Sequence, residues 1–188
     1  MTRYSKAFRP VSRSPFNGTT FLFLLSALLF AVLPAQVSPD RKFDKASESM
    51  LLAHFPGQAL QRQVIWPDGA RGRYLERLVS GPDTLGYLLL TSAPGRYERF
   101  DYLVLLSPRI EVQEIRVVHY RSDHGYQVAS ARWLSQFKGY TGSAPWKVGQ
   151  EVDALSGATI SASGLCRDLF EALVQVRSTL ERDTVSGG

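Results

Sequence analysis

The chain has 188 residues, with 22 Lys and Arg against 17 Asp and Glu, 44% hydrophobic and 11% aromatic residues, three His and one Cys. That length holds one ordinary domain plus a short appendage, with enough apolar material for a core; a lone Cys excludes an internal disulfide framework, and three scattered His without a Cys partner argue against a structural zinc site. The net charge of +5 does not point to nucleic acid, because Arg3, Lys6, Arg9 and Arg13 precede every acid and account for all but one unit of it, too weak a remaining field for a phosphate-backbone partner.

Residues 1–37 read as a basic leader and a hydrophobic membrane-targeting segment. No charge falls between Arg13 and Asp40, and residues 21–33 (FLFLLSALLFAVL) are apolar except for Ser26. A retained anchor needs roughly 17–25 mostly apolar residues, which residues 18–37 supply. A cleaved signal peptide fits the short apolar core and Ala35, although Leu33 is larger than the usual cleavage site accepts. A buried soluble helix is the third reading. Either targeting option leaves the basic end in the cytoplasm and carries the rest across the membrane. The expected location is therefore the cytoplasmic membrane with the domain on its periplasmic side, or the soluble periplasm after cleavage.

The exported part, residues 38–182, reads as one α+β domain, an antiparallel or mixed sheet flanked by helices. Ser38-Pro39-Asp40 has the chemistry of a helix start, and the spacing predicts a helix over 41–54 with Phe43, Ala46, Met50 and Ala53 on one face. Pro56-Gly57 should end it. Strand-like runs at 61–66, 74–79, 85–91, 97–106 and 111–120 alternate with Gly, Pro and Asp turns. A short helix over 131–137 and a Gly/Pro loop over 138–150 follow. Leu165, Leu169, Ala172, Leu173, Val176 and Leu180 then form one helical stripe that should pack on the sheet. Residues 183–188 read as a flexible polar tail, with fraying expected from Glu181 onward.

Chemistry concentrates just before that last helix, in Asp153-Ala154-Leu155-Ser156-Gly157-Ala158-Thr159-Ile160-Ser161-Ala162-Ser163-Gly164. Small side chains open the backbone to close approach, and Gly157 allows a tight turn. Ser161 or Ser163 can cap the helix, whose first amides lack intrahelical acceptors and carry about half a positive charge. Such an end suits a phosphate. A capped helix after a small-residue loop, with no ligand, is the competing reading of the same residues.

The run Asp153-x-x-Ser156-Gly157-Ala158-Thr159-Ile160-Ser161 resembles the D-x-x-S-G-A-T-[hydrophobic]-[S/T] motif of the FMN-binding domain family, whose members include flavin-carrying components of the sodium-pumping NADH:quinone reductase and of the Rnf electron-transport complex. The resemblance extends over about residues 45–180. Val117 to Tyr126 resembles the family's strand and E-T-P-G loop, and Trp133-Leu134-Ser135-Gln136-Phe137-Lys138-Gly139 resembles its short helix ending in [F/I]-x-G. Ser122-Asp123-His124-Gly125 departs from E-T-P-G, losing the Pro and moving the carboxylate one place along.

The resemblance implies FMN joined to Thr159 by a phosphoester, attached by a flavin transferase with FAD as donor. Asp153, Ser156, Gly157 and Ala158 would be what the transferase recognises, and Ser161 belongs to the same cofactor-binding turn. His124, Gly125 and Tyr126 would form part of the ring's wall, with Leu155 and Ile160 beneath. The implied role is electron transfer between redox partner proteins in or at the membrane, with no metal and no self-contained catalytic residue. A redox-sensing or regulatory module and an accessory component of an extracytoplasmic reductase are the alternatives.

Other reactive residues have plainer readings. Cys166 lies beside the apolar stripe and should be packing. His119 falls on a strand, and Trp133 and Trp146 read as packing residues. Ser156 lacks the G-x-S-x-G flanks of a hydrolase nucleophile.

Overall fold

The computed structural model describes residues 41–69 and 72–186; the leader, the apolar segment and Ser38-Pro39-Asp40 lie outside them. Among the described residues no helix is long and apolar enough to cross a membrane. The order of elements is α1 (Arg41–His54), β1 (Gln61–Gly69), β2 (Arg73–Ser80), β3 (Asp83–Pro94), β4 (Arg99–Leu106) and β5 (Val112–His119), then a 3₁₀ turn (Tyr126–Ala129), α2 (Ala131–Leu134) running into a second 3₁₀ turn (Ser135–Phe137), and α3 (Thr159–Ser186).

The five strands form one antiparallel meander in the order β1-β2-β3-β4-β5. The β2–β3 and β3–β4 hairpins are short. Ser80 pairs with Asp83 across Gly81-Pro82, where Gly81 has φ +59°, the left-handed first position that a tight hairpin turn requires. Pro94 pairs with Arg99 across a four-residue turn closed by the Gly95 amide donating to the Glu98 carbonyl at 2.9 Å.

The sheet is covered on both faces, which explains why residues 85–91 and 102–106 are almost continuously apolar rather than alternating. Phe43, Met50 and Leu51 of α1 share a core with Tyr74, Leu78, Leu88, Leu103 and Leu105. On the opposite face Leu75, Leu89, Tyr102, Val104 and Leu106 meet Ala162, Leu165, Leu169, Leu173 and Val176 of α3. Successive side chains of a strand point to opposite faces, so Leu103 and Leu105 serve one core while Tyr102, Val104 and Leu106 serve the other.

Three expectations need correction. The buried face of α1 is Phe43, Ser47, Met50 and Leu51, whereas Ala53 is exposed; the helix turns its larger side chains, not its alanine, to the sheet. The strand expected to start at 97 starts at Arg99, because Arg96 and Tyr97 form the hairpin turn. The last helix, expected as a stripe ending at Leu180, runs on to Ser186, since extending an established helix adds a hydrogen bond for each residue ordered.

A buried polar network locks α3 along the sheet. The Asp168 carboxylate accepts from Arg73 Nη2 at 2.9 Å, Thr91 Oγ1 at 2.9 Å and Tyr102 Oη at 2.8 Å. Arg73 also donates to Gln175 Oε1 at 2.6 Å. Arg73 and Asp168 are 3% and 4% exposed, so neither charge is solvated by water and each needs the other. Burial first, and the neighbouring carboxylate second, push the Tyr102 hydroxyl well above its ordinary pKa, so it serves as a neutral donor. Replacing Asp168 by Ala should destabilise the domain by about 3–5 kcal/mol by stranding Arg73, read as a fall in the urea midpoint. The double variant Arg73→Met with Asp168→Leu should lose markedly less.

Candidate functional site

The segment from Asp153 to Ser161 is anchored at its start by backbone contacts and released at its end into α3. Trp133 Nε1 donates to the Asp153 carbonyl at 2.8 Å, and the Asp153 amide donates to Gln136 Oε1 at 2.9 Å. The main chain is held while the Asp153 side chain stays exposed. Leu155 then tucks against the core formed with α3. Ser156 and Gly157 are exposed, Gly157 has φ +76°, and the Ala158 amide donates to the Leu155 carbonyl at 3.1 Å. This turn winds directly into the helix.

Ala158 therefore occupies the cap position, its carbonyl accepting from the Ala162 amide at 2.9 Å. That corrects the expectation that Ser161 or Ser163 caps the helix; both lie inside it. The consequence is electrostatic. An alanine has no side-chain acceptor for the first amides, so the positive end of a 28-residue helix is left open.

Thr159 is the first residue of α3 and is exposed, its Oγ1 donating to the Leu155 carbonyl at 3.3 Å. With Gly157, Ala158, Ile160 and Ser161 it lines a cleft of about 190 Å³ whose remaining wall is Arg96. Typical ligand pockets run to about 300–1,000 Å³, so this cleft accommodates a phosphate-sized group, and a larger molecule would extend over the surface beyond it. That surface carries Ile160, Tyr97 and Tyr126, exposed by 55%, 63% and 62%, with His124 edge-on to Tyr97 at 5.5 Å between ring centroids. Arg96 lies over the Tyr97 ring at 5.3 Å and makes no ion pair among the described residues.

The fold joins residues that are distant in the chain. The loop ending at Gly125 meets the first turn of α3, because a Cβ on Gly125 would stand 2.8 Å from Ser161 Oγ. Tyr126 opens the following 3₁₀ turn, and Gln127 in that turn reaches Gly157, where a Cβ would lie 3.6 Å from its Nε2. Gln127 Oε1 is buried and has no hydrogen-bond partner, an acceptor left without a donor beside the motif glycine. Ser161 itself is 1% exposed, and its hydroxyl is engaged by Tyr120 at 2.9 Å.

Arg96, Tyr97, Tyr120 and Gln127 were not evident as site residues in the sequence. An Arg-Tyr pair directly after Pro94-Gly95 was the one available signal, since a turn exposes both side chains.

The remaining candidates settle elsewhere. Trp133 is 3% exposed, and Trp146 stacks on Phe137 at 5.8 Å and lies 4.4 Å from Tyr140. His119 is at the end of β5, 3.9 Å from Asp101. No group of three or more His, Cys, Asp or Glu among the described residues could hold a metal ion. No known protein-family model matches the chain, and no curated protein matches it.

Cys166 packs beside Leu165 and Leu169 in the core, and burial pushes its thiol up to about 11. The folded chain favours the neutral thiol, so this contribution to stability is complete below the ordinary thiol pKa and is lost as pH rises through it toward 11. The native protein should resist alkylation by iodoacetamide at about pH 8, near the ordinary thiol pKa, and react in denaturant, as read by intact mass.

Proposed function

We propose that this protein is an exported, membrane-associated flavoprotein that carries FMN esterified to Thr159 and passes electrons between partner proteins. The observation that carries the reading is the exposed Thr159 hydroxyl at an uncapped helix start, within Asp153-x-x-Ser156-Gly157-Ala158-Thr159-Ile160-Ser161. When bound, FMN would supply one- and two-electron redox chemistry that no side chain of the chain provides.

The residues present fit such a group. The first amides of α3 and Arg96 would hold the phosphodiester charge, Tyr97, His124 and Tyr126 offer aromatic surface, and Gln127 brings its side-chain Nε2 close to Gly157. Magnitudes favour a covalent link. An exposed helix end contributes about 0.3–1 kcal/mol to an anion and an exposed cation about as much, whereas micromolar affinity needs about 8 kcal/mol. A shallow cleft with an open aromatic surface would lose a free cofactor, and outside the cytoplasm it would not readily be replaced.

Attachment requires a second enzyme. Thr159 Oγ1 donates to a backbone carbonyl, not to an imidazole or carboxylate that could take its proton. The chain is then the substrate of a flavin transferase, and the exposed Asp153, Ser156 and Gly157 beside Thr159 are accessible for recognition. Asp153 is held by its backbone, leaving its carboxylate free to face an enzyme.

Co-expression with a flavin transferase in an exporting host should yield protein that fluoresces in a denaturing gel and gains the mass of one FMN less water. Thr159→Ala should abolish both signals while leaving the fold intact. Colour that washes out on denaturation would mean noncovalent binding, and a colourless wild type under loading conditions would overturn the reading.

A further inference from the structure

We infer that Tyr120 and Ser161 are positioning residues that clamp the loop carrying His124 and Tyr126 onto the first turn of α3, two residues from Thr159. The functional meaning of the clamp rests on Thr159 being the site of flavin attachment; its geometry does not.

Tyr120 stands just past β5, its ring 5.1 Å from that of the fully buried Phe100. Its hydroxyl donates to the His124 carbonyl at 2.8 Å. A phenol has one proton to give, so the 2.9 Å contact with Ser161 Oγ runs the other way, Ser161 donating to the Tyr120 oxygen. The relay Ser161 to Tyr120 to His124 thus joins α3, the end of β5 and the loop in one directed chain. The Ser161 hydroxyl proton is committed to this chain, and the residue lies inside the helix, not at its cap.

Gly125 is the condition for closure. It has φ +83°, where side chains other than Gly are strained, and a Cβ would stand 2.8 Å from both Ser161 Oγ and the Tyr120 hydroxyl. The chain therefore passes directly against the two hydroxyls and emerges with Tyr126 exposed at the head of the 3₁₀ turn. His124, held through its carbonyl, keeps its ring edge-on to Tyr97. His124 and Tyr126 are in this way referenced to the helix that carries Thr159 through the backbone on either side of Gly125.

The test uses the full chain, with and without co-expressed transferase, and compares Tyr120→Phe and Ser161→Ala with Tyr140→Phe. The last removes a buried phenol hydroxyl that serves the Ala144 carbonyl elsewhere. Amide hydrogen exchange over residues 125–128 should quicken several-fold in the first two variants and stay unchanged in the third. In loaded protein the same two variants should retain full in-gel fluorescence after denaturation while the flavin's visible circular dichroism in the native state falls by more than half. Unchanged exchange would overturn the clamp. Faster exchange with unaltered dichroism would overturn its role toward the flavin. Absent fluorescence in the wild type would instead sink the attachment reading, and the exchange measurement would still decide the clamp.

Discussion

The seating of α3 on the sheet is the constraint from which the rest of the architecture follows. At Gly164 the helix backbone comes so close to the end of β3 that a Cβ would overlap the Pro94 carbonyl oxygen. One turn further on, Asp168 reaches through the same interface to Arg73, Thr91 and Tyr102. A steric contact sets the distance and a charge network sets the position along the axis. Together they determine where the helix begins, and so where Thr159 stands relative to the β3–β4 turn. The turn brings Arg96 and Tyr97 to that place because Pro94 ends β3 at the closest point of the contact.

That arrangement leaves an electrostatic opportunity that the protein's own side chains do not use. The cap position is held by Ala158, which offers no side-chain acceptor, the nearby serine is turned into the interior toward Tyr120, and Arg96 faces the same cleft without an acidic partner among the described residues. Each is individually modest, worth about 1 kcal/mol or less to an exposed anion. The proposed phosphoester is consistent with this weakness, since a covalent bond supplies retention and the surroundings need only orient the group. Rigidity then matters more than affinity, and the Tyr120 and Ser161 hydroxyls supply it close to the attachment point.

Much of the scaffold was legible from pattern. The helix over 41–54, the helical turns over 131–137 and all five strands lie within a few residues of their expected places, because turn residues punctuate them and apolar spacing has a period. What misled was local. Ser161 looked like a cap because its side chain suits one, but the Tyr120 hydroxyl claimed it. Asp168 sat unremarked amid an apolar stripe, its partner Arg73 lying 95 positions away. Gln127 gave no signal, being an ordinary residue made relevant by a neighbour from another element.

The sequence by itself determined the α+β class, the order of the elements and the motif ending at Thr159, since all three depend on short-range spacing and on residue types with strong local preferences. Only the tertiary structure decided that both faces of the sheet are covered, that Arg96 meets the motif while Tyr97 meets His124, and that the clamp closes around Gly125. Those outcomes depend on contacts between residues tens of positions apart, set by strand register and by how closely one helix can approach one strand end. No local pattern along the chain encodes them.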